Sequence, residues 1–486
     1  MKRLSIYLIS LLLSIGNIYA QQADSLFAYN DSLRMIKRPW RAAFQSVGIN
    51  VGVWAFDCYA MNEKYARISF HSIRRNINNG LVWDNDSFST NLLAHPYNGS
   101  LYFSTARANG FNFWESVPYS IAGSVMWEMC AETEPPAIND LLSTSIAGVA
   151  LGEVSYRLSS LVLDDSKQGA NRFFREFVGT LISPVRGINR LFTGDAWKVR
   201  HKYNMYHDYN KYPVKFSATI GNRYMVDDNR FFRDSNSPYL EFNVLYGDPL
   251  KENTHYPFDY FSLNSVFNLG GNQPVVGSIN LLAKLYGKYL EPIPEHKMLI
   301  GLFQHFDFYD SGLLIDGSKN IPFKISEAVA FGVGMIYQFP TTNKVKIRQS
   351  SFFNGILLGG NLTDYYKWID RNYNMGSGYS IKNYTSIDFG KYGNFELNLQ
   401  HYRIFTWVGY ENKNIAGIDS LYLNVQGDKG SAWLTVINPK MGINLNPNLL
   451  MTAGLYYYLR NSYYAYYRKN VFYRTFEVRF GLRYSF

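Results

Sequence analysis

The chain has 486 residues and is rich in aromatic residues, with 40 Tyr, 34 Phe and 9 Trp making up 17% of the sequence. Beyond the amino-terminal segment, no uninterrupted apolar run reaches the roughly 18 residues of a membrane-spanning helix, which excludes a protein built from such helices. The formal net charge of +10 suits contact with phosphorylated lipid head groups.

The amino terminus has the composition of a secretory signal peptide. Lys2 and Arg3 are basic, residues 4–15 are mainly apolar, and cleavage is expected after Ala20. We therefore predict a signal peptide at residues 1–20 and an exported chain, whose net charge falls from +10 to +8 when the two basic residues are removed. Export excludes nucleic acid as a partner.

Residues 21–198 are predicted to form a helical domain, because the apolar positions there recur at helical spacing. Two of its helices are expected at about 113–132 and about 137–163. Each has a stripe of small and acidic residues at every fourth position, which places the stripe on one helix face. The stripes are Ser116, Ser120, Ser124, Glu128 and Glu132 in the first helix, and Asp140, Thr144, Gly148 and Gly152 in the second. Small residues let helix backbones approach closely, so the carboxylates can converge.

No metal, nucleotide or serine-hydrolase motif is present, and the sequence identifies no cofactor. The helical domain does contain a group of ionisable residues. The catalytic candidates are His95, Glu128, Glu132 and Asp140, and a structural polar network is expected from Arg107, Glu153 and Arg157. Two interpretations stay open: a general acid–base or metal site, or a buried salt-bridge network in which the arginines neutralise the acids.

Several segments of this domain resemble a known family. They are HPYNGSLYFSTARANG, FWESVPYSIAGSVMWE, PPAINDLLSTSIAGVALGEVSYRLS and SPVRGINRLFTGDAW. Together they are similar to the bacterial domain of unknown function numbered 3943, over roughly residues 40–200. The resemblance implies a Gram-negative outer-membrane protein and implies no activity. The family often has a second His where this chain has Asn98, so a pair of metal-binding histidines is not implied there.

Residues 199–486 change to short runs in which apolar and polar residues alternate, which indicates strands. In the last run, apolar residues alternate from Phe476 to Phe486, and Glu477, Arg479 and Arg483 lie on the opposite face. An apolar face toward lipid and a polar face toward a lumen explain this pattern, which also resembles the carboxy-terminal sorting strand of outer-membrane barrels. We therefore predict an α+β protein, with the helical domain followed by a transmembrane antiparallel β-barrel of about 12 strands.

Another candidate pair lies in the predicted barrel. His305 and Asp307 share one strand face, so both are expected in the lumen. They suit either the His–acid pair of an outer-membrane lipase or two polar residues facing water.

Two functions are consistent with these observations. The favoured one is a non-enzymatic protein of the cell outer membrane, in which the helices form a plug in the lumen or a periplasmic cap. It would serve envelope maintenance or the passage of small solutes. The alternative is an envelope lipid-modifying hydrolase that uses the His and carboxylate cluster.

The helices are too rich in Ser, Glu and Arg to be expected against lipid. The expected partners are outer-membrane lipids and the barrel assembly machinery. Cys58 and Cys130 either pair in an oxidising compartment or stay free.

Overall fold

The structure is a computed structural model. It describes residues 37–83, 86–199, 212–227, 236–251, 256–270, 273–312, 321–342, 344–365, 372–409, 427–466 and 469–486. The predicted signal peptide at residues 1–20 lies outside the described residues.

Seven helices precede the first strand in the described part of the chain. They are α1, Pro39–Ala55, which runs on into a π-helical turn at Phe56–Ala60; α2, Phe70–Asn79; α3, a π-helical turn at Thr90–Ala94 followed by His95–Ala108; α4, Phe113–Cys130; α5, Ile138–Leu142, a π-helical turn at Ser143–Ala147 and Gly148–Val162; α6, Gly169–Ile182; and α7, Pro184–Thr193. None of the helices that the structure describes has both the length and the apolar character needed to cross a membrane. Helices α4 and α5 agree with the two that the sequence predicts.

Local sequence signals fix several helix ends. Asn112 caps α4, because its side chain accepts a hydrogen bond from the Glu115 backbone N–H while the Glu115 carboxylate accepts one from the Asn112 N–H. Pro184 occupies the first turn of α7, and Gly194 ends that helix in the left-handed conformation at φ +73°.

Twelve antiparallel strands form a closed barrel in which sequential neighbours pair and the last strand pairs with the first. They are β1, Val214–Asp227; β2, Asn236–Tyr246; β3, Phe261–Asn268; β4, Val276–Ile293; β5, His296–Asp310; β6, Lys324–Gln338; β7, Lys346–Leu362; β8, Tyr373–Asp388; β9, Gly393–Thr406; β10, Gly430–Asn444; β11, Leu449–Tyr464; and β12, Val471–Ser485. The predicted fold class and strand number are confirmed.

The two faces of the wall differ as a membrane barrel requires. On β12, Phe480 and Leu482 point outward and are exposed, whereas Glu477 and Arg479 point inward and are buried. At the end of the barrel where β12 finishes, three of the five connections are short, with two residues between β4 and β5, four between β8 and β9 and four between β10 and β11, whereas 14 residues separate β2 from β3. At the other end the longest connection, between β9 and β10, has 23 residues. An apolar outer wall and short turns at one end are features of outer-membrane barrels.

The helical domain packs against the outer wall. On β5, Ile300 and Leu302 point outward and are exposed, and on the same face Gln304 and Phe308 are covered by helices. The Gln304 side-chain amide donates to the carbonyl oxygen of Ile146 at 3.2 Å, and the Phe308 ring lies 5.2 Å from that of Phe88.

The covered outward face extends from Tyr246 on β2 to Tyr373 on β8. This placement corrects the expectation of a lumenal plug, since a plug would contact inward-facing side chains. Cys58 and Cys130 are both free thiols.

Candidate functional site

Helices α3, α4 and α5 meet at glycines. A Cβ atom on Gly148 would lie 2.5 Å from the Gly99 Cα atom, and one on Gly99 would lie 1.7 Å from the Thr144 carbonyl oxygen. The Ser120 hydroxyl of α4 donates to the carbonyl oxygens of Gly99 at 3.2 Å and Ser145 at 3.0 Å. The small residues of the predicted stripes therefore allow close approach, with α3 as the third member of the contact.

This junction brings His95 and Asp140 together. His95 Nε2 lies 3.5 Å from Asp140 Oδ1 and 3.9 Å from Asp86 Oδ2, and His95 Nδ1 lies 3.4 Å from the Thr144 hydroxyl. The Asn139 side-chain amide donates to Asp140 Oδ1 at 2.7 Å and orients that carboxylate. An imidazole between a carboxylate and a hydroxyl can accept and return a proton. Thr144 and Asp86 were not among the predicted candidates.

Glu128 and Glu132 each make a hydrogen bond to a residue outside this pair. Glu128 Oε2 accepts a hydrogen bond from the Ala137 N–H at 2.8 Å, at the start of α5. The indole N–H of Trp127 donates to Glu132 Oε1. Burial, together with the nearby charges of Glu128 and Glu132, holds the pKa of Tyr102 well above its usual range, so that this phenol stays protonated.

Arg107, Glu153 and Arg157 form one buried network. Glu153 accepts from Arg107 Nε at 2.7 Å and from Arg157 Nε at 2.7 Å, and the Glu153 carboxylate is fully buried. Arg157 Nη2 also donates to the carbonyl oxygen of Pro257 at 2.8 Å, and Nη1 lies 3.5 Å from the Tyr246 hydroxyl. The network therefore joins the helical domain to the barrel.

A second buried network was missed by the sequence analysis. Asp165 Oδ1 accepts from Arg172 at 2.8 Å and from Arg190 at 2.6 Å, and Glu176 Oε1 lies 2.8 Å from Arg190 Nη2. The four-residue spacing of Arg172 and Glu176 is a sequence signal for part of it. Asp165 and Arg190 are far apart in the chain, so only the fold shows their pairing.

In the lumen, Lys382 lies between the two predicted residues. Its Nζ atom is 2.5 Å from Asp307 Oδ2, 2.9 Å from Glu327 Oε1 and 3.1 Å from His305 Nδ1. Asp307 Oδ2 also accepts from the Tyr402 hydroxyl at 2.5 Å. All of these side chains are buried, so His305 and Asp307 belong to a salt-bridge cluster.

The other predicted lumen residues are paired as well. Glu477 Oε1 lies 2.7 Å from Arg479 Nε, and Arg483 Nη2 lies 3.9 Å from Glu241 Oε1. Lys440 Nζ lies 2.8 Å from the same oxygen of Glu241.

Apolar side chains fill the lumen near the Lys382 cluster. The rings of Phe323 and Tyr458 stack at 4.2 Å, and the rings of Tyr309 and Tyr402 lie 6.2 Å apart. The buried members of this group are Tyr309, Phe323, Ile325, Ala330, Ile356, Tyr402, Ile404, Leu434, Val436 and Tyr458. Together with the salt bridges, these side chains occupy this part of the lumen.

A groove of about 520 Å³ lies between the helical domain and the outer wall of the barrel. It is mainly apolar, and it is lined by Ser89 and α3, including the π-helical turn of α3, and by α5 and β4. The lining residues are Ser89, Thr90, Leu93, Ala94, Tyr97, Leu151, Ser155 and Ile279. In the sequence, His95 stands between the lining residues Ala94 and Tyr97. Within the described residues, no group of three or more His, Cys, Asp or Glu side chains is arranged to hold a metal ion.

Comparison with known families confirms the predicted resemblance. The family described as "Domain of unknown function (DUF3943)" matches residues 80–185, a segment that holds α3, α4, α5 and α6. No curated protein matches the chain.

Several solved barrel structures are similar to this chain at low identity. The NanC porin has 8% identity and a TM-score of 0.28, covering 55% of this chain and 98% of that one. The KdgM porin, in complex with disordered oligogalacturonate, has 10% identity and a TM-score of 0.24, covering 56% and 99%. The transport unit of the autotransporter AIDA-I from Escherichia coli has 11% identity and a TM-score of 0.21, covering 56% and 90%. The assignment of an outer-membrane barrel rests on the strand pairing and the apolar wall of this chain.

Proposed function

We propose that this chain, whose residues 80–185 match a domain of unknown function, holds an acyl chain of an envelope lipid against its barrel wall and thereby serves envelope maintenance. The observation that carries the proposal is the apolar groove between the helices and Ile279 of β4. Its volume of about 520 Å³ lies within the range of ligand pockets, roughly 300–1,000 Å³.

The composition of the groove suits an amphipathic lipid. Leu93, Leu151 and Ile279 supply apolar surface, while the hydroxyls of Thr90 and Ser155 supply polar contacts. Pockets of this kind use a few polar groups to orient a mainly apolar ligand.

The lumen favours this proposal over passage of small solutes. Lys382, Asp307 and Glu327 are buried in mutual contact, and the stacked rings of Phe323 and Tyr458 lie near them. A solute would have to displace paired charges and packed aromatic rings. The groove, in contrast, is open.

Photo-crosslinking tests the proposal. The protein is reconstituted with phosphatidylethanolamine bearing a diazirine in its acyl chain, and cross-linked peptides are mapped by mass spectrometry. Adducts are expected on the segment that contains Leu151 and Ser155. Ala94→Trp, which fills the groove, should remove those adducts and leave those on the exposed wall residue Phe480 unchanged.

Val47→Trp is the matched control, since Val47 is exposed on α1 and is not part of the groove lining. It adds comparable bulk and should preserve the groove adducts. Equal labelling of the Leu151 segment in the parent and in Ala94→Trp would contradict the proposal.

A second candidate function is a lipid hydrolase, favoured by the contacts of His95 with Asp140 and Thr144. In such a reaction His95 accepts the proton of a water molecule that attacks an ester carbonyl. The ester C–O bond then breaks, and the imidazolium returns the proton to the leaving alkoxide. Asp140 holds the imidazole in position.

His95→Gln tests this candidate, with His71→Gln as the control because His71 lies exposed on α2. Both variants are expressed in a deletion strain, and the envelope lipids are compared by mass spectrometry. The hydrolase candidate requires that His71→Gln restores the parental lipid profile and His95→Gln does not. Restoration by both variants would rule it out.

A further inference from the structure

Helix α1 buries two polar residues and exposes several large apolar ones. Ser46 and Asn50 are buried, whereas Trp40 is 77% exposed and Phe44 is 73% exposed. The positions at 40, 44, 47 and 51 follow helical spacing, so the exposed residues form one apolar stripe. A helix on the surface of a water-soluble domain has the opposite arrangement, with its apolar stripe facing the core.

Helices α6 and α7 repeat this inverted pattern. Arg172 and Arg190 are buried, while Phe173 is 64% exposed, Leu181 61% and Phe192 87%. On these two helices the buried set is Arg172, Arg175, Val178, Gly179, Val185, Arg186, Gly187, Asn189 and Arg190. Charged groups therefore lie inside, and aromatic rings lie outside.

Helix α4 shows the same inversion. Its stripe of Ser116, Ser120, Ser124 and Glu128 is buried. Trp114, Ile121 and Val125 are exposed on other faces of the helix. The Ser and Glu residues of this α4 stripe, which in the sequence argue against contact with lipid, therefore point into the domain and away from its surface.

Many of the buried polar groups find partners within the domain. The Asn50 amide donates to the Gly123 carbonyl oxygen at 3.1 Å, and the hydroxyls of Ser46 and Thr105 lie 2.9 Å apart. Arg186 Nη1 donates to the Tyr156 carbonyl oxygen at 2.8 Å. Polar groups paired in the interior, with an apolar exterior, are what a hydrocarbon environment requires.

We infer that the helical domain lies in the plane of the outer membrane beside the barrel, with lipid acyl chains against the exposed faces of α1, α4, α6 and α7. Continuity with the barrel wall identifies this occupant. On β5 the outward face is exposed at Ile300 and Leu302 and then covered by helices at Phe306 and Phe308. On this part of the outer wall the helices take the place of lipid. The outward faces of the helices then continue the apolar surface of the wall.

This inference concerns the outer surface of the domain and does not depend on whether the groove is occupied. Exposed apolar patches of this extent on a water-soluble protein mark an interaction site. A second copy of the chain is the other occupant that the experiment must detect.

Fluorescence quenching by lipids with brominated acyl chains tests it. In a Cys58→Ser, Cys130→Ser background, Phe44→Cys and Phe192→Cys are labelled separately with an NBD dye. The labelled proteins are reconstituted in phosphatidylcholine vesicles with and without bromines on the acyl chains. Both labels should emit at the short wavelengths typical of an apolar environment and lose intensity in the brominated vesicles.

Two reference positions calibrate the result. Phe480→Cys, on the exposed barrel wall, gives the quenching of a lipid contact, and Glu291→Cys, near the β4–β5 turn, gives that of water. Quenching of the helix labels near the Phe480 value supports the inference, and quenching near the Glu291 value overturns it. Val47→Cys replaces Phe44→Cys if that variant does not assemble. Cross-linking of two copies through these cysteines, without quenching, would assign the surface to a dimer and also overturn the inference.

Discussion

Glu153 holds two guanidinium groups in the interior of the helical domain. Its carboxylate is fully buried and lies 2.7 Å from both Arg107 Nε and Arg157 Nε. Paired buried charges depend on each other, because removing one partner leaves the other without compensation and typically costs about 3–5 kcal/mol. Arg157 also contacts Pro257 in the barrel, so the effect reaches the contact between the two parts.

Glu153→Gln should therefore lower the free energy of unfolding of the helical domain by about 3–5 kcal/mol. Limited proteolysis of the reconstituted protein is the measurement, and cleavage between residues 37 and 199 should increase. The barrel should still migrate as a heat-modifiable band in electrophoresis. Glu115→Gln is the control, since the Lys37–Glu115 pair is exposed and such pairs contribute no more than about 1 kcal/mol. Equal protease resistance of the two variants would contradict the assignment of Glu153 as a buried anchor.

Spacing in the sequence predicts some of these residue contacts. The Glu153–Arg157 pair follows from a separation of four residues on one helix, and His95 with Asp140 was in the predicted candidate set. Arg107 was expected in one network with Glu153, which it contacts between α3 and α5. The contact of Lys382 with Asp307 across the lumen and that of Arg190 with Asp165 were not predicted. Such pairs depend on how the elements pack, which local periodicity does not encode.

At the scale of elements, the approach of α3 and α5 depends on a pair of glycines. A Cβ atom on Gly148 would lie 2.5 Å from the Gly99 Cα atom and 2.6 Å from its carbonyl carbon, so the clash is with backbone and not with a flexible side chain. Gly148→Ala should therefore separate the two helices and cost about 1–3 kcal/mol, the usual range for overpacking. Urea-induced unfolding of the helical domain, followed by protease susceptibility, measures the change.

Gly48→Ala provides the opposite control, because no atom lies within 4 Å of a Cβ added at Gly48 in α1. Removing a glycine from the interior of that helix should stabilise it by roughly 0.5–1 kcal/mol. A stabilising effect of Gly148→Ala comparable with that of Gly48→Ala would show that α3 and α5 are not in close contact.

Elements with regular periodicity were predictable. Alternation identified twelve strands, and helical spacing with proline breaks identified α4 and α5. The partner of the α5 stripe was not predictable, because its glycines pack on α3, while Ser120 of α4 donates to the backbone beside them. The π-helical turns at Thr90–Ala94 and Ser143–Ala147 had no signal in the spacing.

The whole barrel depends on the pairing of its last strand with its first. Tyr484 lies opposite Ala218, and the backbone N–H of Phe486 donates to the Phe216 carbonyl oxygen at 3.0 Å. Deleting Tyr484 to Phe486 should prevent closure, so that the chain is degraded or aggregates in the periplasm. Fractionation of the outer membrane followed by heat-modifiability electrophoresis is the measurement. A normal heat-modifiable band from the deletion would contradict this role of the terminus.

The packing of side chains inside the lumen leads to a conductance prediction. The parent protein in planar bilayers should show no steady open level, because the Lys382 cluster and the stacked rings of Phe323 and Tyr458 fill the lumen. Replacing both rings with Ala should increase ion conductance. Replacing the exposed wall residues Phe480 and Leu482 with Ala serves as the control and should have no such effect. A steady conductance in the parent would show that the lumen is open.

The relative position of barrel and helices was the least predictable feature. Alternation separates inward from outward residues, but it does not distinguish an outward residue that meets lipid from one that meets protein. Gln304 is a polar residue on the outward face between Leu302 and Phe306, and it donates to a helix carbonyl. A polar residue among outward-facing apolar residues therefore indicates a part of the wall that contacts protein and not lipid.

The helices cover the outer wall of the barrel along only part of its circumference. Helices lie against outward faces from β2 to β8, whereas Ile220 on β1 and Phe480 on β12 remain exposed where the first and last strands join. The seam of the barrel is therefore bare at these two residues, although Val214 and Phe216 at the start of β1 pack against the same core as the helices. Docking of the helices against the wall therefore leaves the part of the seam around Ile220 and Phe480 uncovered. We therefore propose that the machinery that inserts barrels can still reach this part of the seam after the helical domain has docked.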